Sequence, residues 1–170
     1  MQLSDSRTIN ADIETVWAAL LSVDVLRECV PGCTEMTGSP DEGFEATVVQ
    51  KVGPVKATFK GKVDLEDRNP PNSLRISGAG KGGAAGFAKG AADVRLEAEG
   101  DQTILHYDVE AKVGGKLAQL GSRIIDGFAK KMADEFFTRF QNALEPEDEG
   151  AEEEEADDKP KKGWFKRLVS

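Results

Sequence analysis

Residues 78–92, GAGKGGAAGFAKGAA, open on Gly78-x-Gly80-x-x-Gly83, the spacing of a phosphate-binding loop. In such a loop glycines let backbone N–H groups approach a pyrophosphate, and the motif needs a strand before it and a helix starting at its last glycine. Neither neighbour fits. Leu74, Ile76, Gly78 and Gly80 share one parity of a strand running in, and Gly90, Ala92, Val94 and Leu96 share one parity of a strand running out, so the segment reads as a long hairpin. A GxxxxGK[ST] loop is also missing.

The other reactive residue types are sparse. Cys29 and Cys33 flank Pro31-Gly32 without further zinc ligands nearby in sequence, so two packed free thiols are expected rather than a metal site. His106, the single histidine, falls on the polar side of an alternating segment, where a solvated ring is expected. Ser122, Arg123, Asp126 and Glu135 share a helical segment with no base or thiol placed to partner them. No set of nucleophile, base and orienting group emerges, and no catalytic residue is expected.

The elements that carry these residues follow from periodicity. Residues 2–9 suit a first strand. Asn10 is the expected cap of a helix over ADIETVWAALLS, in which Ile13, Val16, Trp17 and Leu20 recur at helical spacing. A short helix over Val25 to Cys29 ends at Pro31-Gly32. Strict alternation then marks Val55 to Leu65, Ala92 to Ala98 and Leu105 to Val113 as antiparallel strands with one wet face. After Gly114-Gly115 the period changes. Leu117, Leu120, Ile124, Phe128, Met132, Phe136 and Phe140 predict one helix of close to thirty residues, ending near Leu144.

The 170 residues are 39% hydrophobic and 31% charged, which suits one domain with a real core. The net charge of -9 is unevenly spread: residues 145–158 hold ten acids, residues 159–170 hold five bases, and the remainder holds 21 acids against 17 bases. A mildly acidic body without a basic stripe argues against nucleic acid. Nothing in MQLSDSRTIN resembles a secretory leader, and no apolar run is long enough to span a bilayer, so a cytoplasmic location is expected.

Three stretches resemble the CoxG family of carbon monoxide dehydrogenase, within the START-like, helix-grip superfamily. They are IETVWAALLSVDVLRECVPGC, GAGKGGAAGFAKGAADVRL and VGGKLAQLGSRIIDGFAKKMADEFF. The resemblance spans about residues 1–144 and implies an α+β fold, with a curved seven-stranded antiparallel sheet gripping a long C-terminal helix around a lipophile-holding tunnel. It also implies service to a molybdenum-containing carbon monoxide dehydrogenase or a related hydroxylase.

Together these readings give expected domains at 1–144 (START-like), 145–158 (acidic disordered linker) and 159–170 (basic amphipathic tail). The small inward residues Gly78, Gly80, Gly90 and Ala92 leave volume for a lipophile, with Phe59, Tyr107, Ile125, Phe128 and Met132 as walls and Phe87 at the mouth; a glycine hairpin packed on the helix with no ligand explains the same residues. Tyr107, which carries a hydroxyl, is the candidate to orient a quinone oxygen. No cofactor is expected beyond such a bound quinone or other lipophile. In the tail, Lys161, Lys162, Lys166 and Arg167 accompany Trp164, Phe165, Leu168 and Val169, a composition suited to an anionic membrane surface at the inner face of the cytoplasmic membrane. The expected function is a non-catalytic lipophile-binding protein, with quinone the favoured ligand, that associates reversibly with the inner membrane and couples the enzyme to the membrane quinone pool. The alternatives are a ligand-free membrane-tethering or maturation adaptor for that enzyme, and a hydrolase or cyclase that uses the tunnel.

Overall fold

A computed structural model describes residues 1–145; the acidic and basic segments beyond lie outside the described residues. The strands are β1 (Gln2–Ile9), β2 (Cys33–Ser39), β3 (Gly43–Val52), β4 (Val55–Asn69), β5 (Ser73–Lys81), β6 (Phe87–Glu99) and β7 (Gln102–Gly114). They form one antiparallel sheet in the order β1-β7-β6-β5-β4-β3-β2. Helices α1 (Ile13–Leu20) and α2 (Val23–Cys29) separate β1 from β2, and α3 (Ser122–Leu144) follows β7. This is the helix-grip arrangement.

The alternating segments behave as their pattern predicts. Leu65 pairs with Ile76, Ile76 with Ala92 and Ala92 with Val109, so the apolar parity of four successive strands faces the same side, toward α3. Two details differ from expectation. Asp12, not Asn10, caps α1, and its carboxylate accepts from the Thr15 hydroxyl rather than from a backbone N–H. The final helix is shorter than its apolar period suggests, because Leu117 and Leu120 belong to a separate 3-10 turn, Gly115–Leu120. Gly121, at φ 90°, breaks the two apart, a left-handed conformation that costs glycine little. The remaining 23 residues of α3 extend about 35 Å at 1.5 Å per residue.

The main cluster of buried side chains sits at one end of the grip, while Val52, Ala85 and Leu117 are buried apart from it at the other. Val16, Trp17 and Leu20 of α1 meet Leu74, Val94, Leu96 and Leu105 of the sheet and Phe137 and Phe140 of α3 in one apolar cluster. Phe137 stacks on Tyr107 at 4.7 Å between ring centroids, and Phe136 stacks on Phe140 at 5.6 Å. The edge strand fastens α3 here. Arg7 lies on the inward parity of β1, donating to Asp134 Oδ1 at 3.2 Å and Gln141 Oε1 at 2.9 Å, while Gln141 donates back to the Thr8 carbonyl. The Arg7 guanidinium also lies 5.9 Å from the Phe137 ring centroid. An inward charge on an edge strand further discourages pairing with another chain.

Candidate functional site

The other end of the grip is built differently. No side chain of α3 from Ser122 to Phe136 is buried, whereas Phe137 and Phe140 are. Facing that stretch, Phe59 of β4 and Ala111 of β7 point inward yet are only half-buried. The contiguous core and its fringe extend as far as Val63, Ile76, Ala92, Val109 and Ala133; Phe59, Ile125, Phe128 and Met132 lie beyond it. We take the space between the N-terminal half of α3 and the middle strands, where inward apolar side chains stay half-buried, as the candidate cleft. Its walls are side chains that point into the grip without filling it.

Tyr107 stands at the closed end of this cleft. Its side chain is 3% exposed and stacked on Phe137, and burial, reinforced by nearby Asp5, raises its pKa. Among the described residues no buried polar side-chain atom lacks a hydrogen-bond partner. Tyr107 lies within the field of Asp5, Arg7 and Asp134 at the α3–β1 seam. Arg7, Asp134 and Gln141 are the seam residues beside Tyr107 that periodicity does not single out; the one sequence signal is Arg7 sharing a parity with Leu3 and Ile9.

The expected wall is brought together in part. Phe59, Ile125, Phe128, Met132, Gly78, Gly80, Gly90 and Ala92 all belong to the elements that border the cleft, and Tyr107 closes it. Phe87 does not join them. It has the opposite parity to Ala88 and Gly90, pairs in register with Lys81 and Gly114, packs its ring over the Gly114 backbone and is 45% exposed. The hairpin it follows is not a free loop either: Ala85 is buried in a 3-10 turn, and the Gly86 and Gly115 backbones touch.

The glycines have a second role that parity alone conceals. A β-carbon on Gly90 would sit 2.5 Å from the Glu110 carbonyl oxygen, one on Gly61 2.7 Å from that of Ala79, and one on Gly78 3.2 Å from that of Lys62. These positions let neighbouring strands close in where the sheet bends. At Gly80 the nearest atom would be 3.5 Å away, an ordinary contact, so Gly80 is the glycine that leaves usable space. Gly83, third glycine of the apparent fingerprint, starts a three-residue 3-10 turn rather than an α-helix, and no phosphate cradle forms.

A groove of about 900 Å³ lies instead on the outer face of the sheet. Ser77, Ala79 and Ala91 floor it, and Lys62, Lys89, Lys112, Asp64, Arg75 and Glu110 rim it. Charges of both signs around a shallow floor suit a lipophile poorly, so the inner cleft is the candidate site. Among the described residues no cluster of three metal-ligating side chains occurs. Cys29 and Cys33 are free thiols; burial pushes the Cys29 pKa up to about 12, which keeps it protonated and inert as a nucleophile. His106 sits on the outer parity with Nε2 3.1 Å from Glu97.

Residues 6–145 match the family model for the CoxG subunit of carbon monoxide dehydrogenase. The chain belongs to the CoxG family. Solved structures share its fold. A conserved protein from Geobacillus kaustophilus is 26% identical over 85% of this chain and 95% of its own, with a TM-score of 0.79. A START superfamily protein from Mycobacterium smegmatis is 13% identical over 84% of this chain and 96% of its own, at TM-score 0.64. A protein from Chromobacterium violaceum is 14% identical over 86% and 99%, at 0.62. No curated protein matches the sequence. Within the CoxG-family fold, no described helix is long and apolar enough to cross a membrane.

Proposed function

We propose that this protein is a non-catalytic carrier of a lipophilic molecule, with quinone the favoured ligand, that serves a molybdenum enzyme of the carbon monoxide dehydrogenase type. The observation that carries the reading is the cleft: Phe59, Ile125, Phe128 and Met132 face into the grip but lie outside its packed core. Apolar side chains left partly wet forgo about 25 cal/mol for each Å² that a lipophile would cover. The family name supplies the enzyme served. A cytoplasmic oxidase must deliver electrons to quinone dissolved in the membrane, and a carrier that shields quinone from water links the two. Tyr107 supplies a hydroxyl at the cleft floor for a quinone carbonyl to accept from.

Native mass spectrometry of freshly purified protein, followed by organic extraction, tests the reading. A quinone at near one equivalent, lost in Gly80→Leu, is the expected result. A protein whose mass stays unshifted after incubation with ubiquinone and menaquinone overturns it. The close backbone approaches at Gly61, Gly78 and Gly90 favour one alternative, a ligand-free adaptor, since they explain much of the glycine pattern by sheet curvature alone. For an adaptor, Gly80→Leu leaves support of the enzyme intact.

A further inference from the structure

The charge of the folded domain is polarised in a way its total conceals. Residues 46–63, 78–92 and 111–125 carry nine basic residues, eight of them lysine, and no acid. The fold collects these segments at one end. The β3–β4 turn at Gly53 lies against Leu120 and Ile124, the turn after β5 packs Gly82 over the Phe59 ring, and Gly86 meets Gly115. Register then sets like charges side by side: Lys51 faces Lys56, Lys60 faces Lys81, and Lys89 faces Lys112. Like charges directly opposite destabilise a sheet, and none of the nine joins an ion pair among the described residues.

The same end carries the exposed apolar side chains. Phe87, 45% exposed, and Ile124, 41% exposed, are the exposed large hydrophobics of the described residues. Phe87 stands in register with Lys81, and Ile124 contacts the Gly53 turn between Lys51 and Lys56. At the same end Val52, Ala85 and Leu117 are buried.

We infer that this end of the folded domain docks on an anionic lipid surface, with Phe87 and Ile124 entering the headgroup boundary and the lysines around them meeting lipid phosphates. Several features select a lipid surface over nucleic acid or an acidic protein. Lys51 and Lys56 flank the β3–β4 turn, Lys81 ends β5 and Lys116 lies in the 3-10 turn before α3, and their long stems carry charge outward past apolar neighbours; Lys62, Lys89 and Lys112 rim the outer groove. One phenylalanine and one isoleucine suit a hydrocarbon boundary, whereas single-stranded nucleic acid favours rows of aromatic stacking platforms. Half-buried Phe59 and Ile125 of the candidate carrier site lie at this same end, which gives a lipophile a short path between bilayer and protein. In that respect the inference rests on the carrier reading. The surface is built from described residues alone; Trp164 and Phe165 of the tail lie outside them.

The test uses the full chain with vesicles of phosphatidylglycerol and phosphatidylcholine, against pure phosphatidylcholine. Replacing Lys81, Lys89 and Lys116 together by glutamine is expected to weaken partitioning to the anionic vesicles about 100-fold, at roughly 1 kcal/mol for each basic residue near the surface. Phe87→Ser weakens it about tenfold further. A chain with Trp164→Ser and Phe165→Ser keeps a phosphatidylglycerol-dependent share of binding that the three lysine changes remove. Partitioning unchanged by the lysine substitutions in a chain with an unaltered melting curve overturns the inference, as does loss of all anionic binding in the tail-altered chain. Quinone loading from detergent solution stays normal in the lysine variant, so a failed carrier reading and a failed docking surface give different results.

Discussion

The two ends of the grip use one strand pattern for opposite purposes. At the end covered by α1 and α2, inward positions hold Leu74, Val94, Leu96, Leu105 and Tyr107, and the aromatic rings of α3 close over them. At the other, the same strands present Gly78, Gly80, Ala88 and Gly90 beneath the half-buried Ile125, Phe128 and Met132. Charge follows the division. The turns at the packed end carry Asp41 and Glu42, Glu66 and Asp67, and Glu97, Glu99 and Asp101, while those at the open end carry lysines. The packed end supplies the stability that lets the open end remain unfilled, since an apolar cleft persists only where the surrounding frame is fixed elsewhere.

The largest contrast is expected in the core. Phe140 is fully buried, so Phe140→Ala costs about 3–5 kcal/mol in urea unfolding. Phe128→Ala, outside the core, costs on the order of 1 kcal/mol for its partial burial while weakening quinone binding. Equal losses from both substitutions would falsify the division of the grip into packed and open ends.

The glycines sharpen the comparison next. Gly90→Leu drives a side chain into the Glu110 carbonyl and is expected to lose about 1–3 kcal/mol or more by overpacking, read as a lower melting temperature. Gly80→Leu, whose β-carbon meets only ordinary contacts, is expected to melt within a few degrees of the parent and to fill the cleft. If Gly80→Leu unfolds the chain and Gly90→Leu does not, the assignment of curvature to one and space to the other fails.

The seam at the packed end has a smaller, pH-dependent effect. Hydrogen bonds from Lys130 and from Arg7 hold the Asp134 carboxyl below its ordinary value of 3.8. A depressed carboxylate contributes stability that is fully present above that value and lost as pH falls through the lowered folded value. Acid titration of the melting temperature is expected to show a shallower fall below pH 3.8 in Asp134→Asn; an unchanged slope removes this seam from the account. The smallest effect concerns the thiols. Iodoacetamide at neutral pH is expected to label half-buried Cys33 and leave fully buried Cys29 unmodified until the chain unfolds, giving a single adduct by mass spectrometry.

Much of the frame was legible in the amino-acid order. Alternation in Val55 to Leu65 and Leu105 to Val113 fixes which face of each strand is wet, because side chains on a strand alternate with period two. The helical spacing of Val16, Trp17 and Leu20 likewise fixes the buried face of α1. The cleft was legible only as a shortage of large side chains, and parity could not separate Gly90, which closes strands together, from Gly80, which leaves room. The same reading places Phe87 at the cleft mouth as part of a hairpin tip, whereas β6 begins at Phe87 and the parity it shares with Lys89 rather than Gly90 turns its ring to the outer face.

The sequence by itself determined the elements, their wet and dry faces and the family, because these depend on local periodicity and on motifs read along the chain. Tertiary structure alone decided where the grip is packed and where its inward side chains stay half-buried, and that basic segments spread from Lys51 to Arg123 along the chain meet at one end of the fold. Those properties depend on which turns meet in space and how closely strands approach, and a net charge or a residue pattern averages over both.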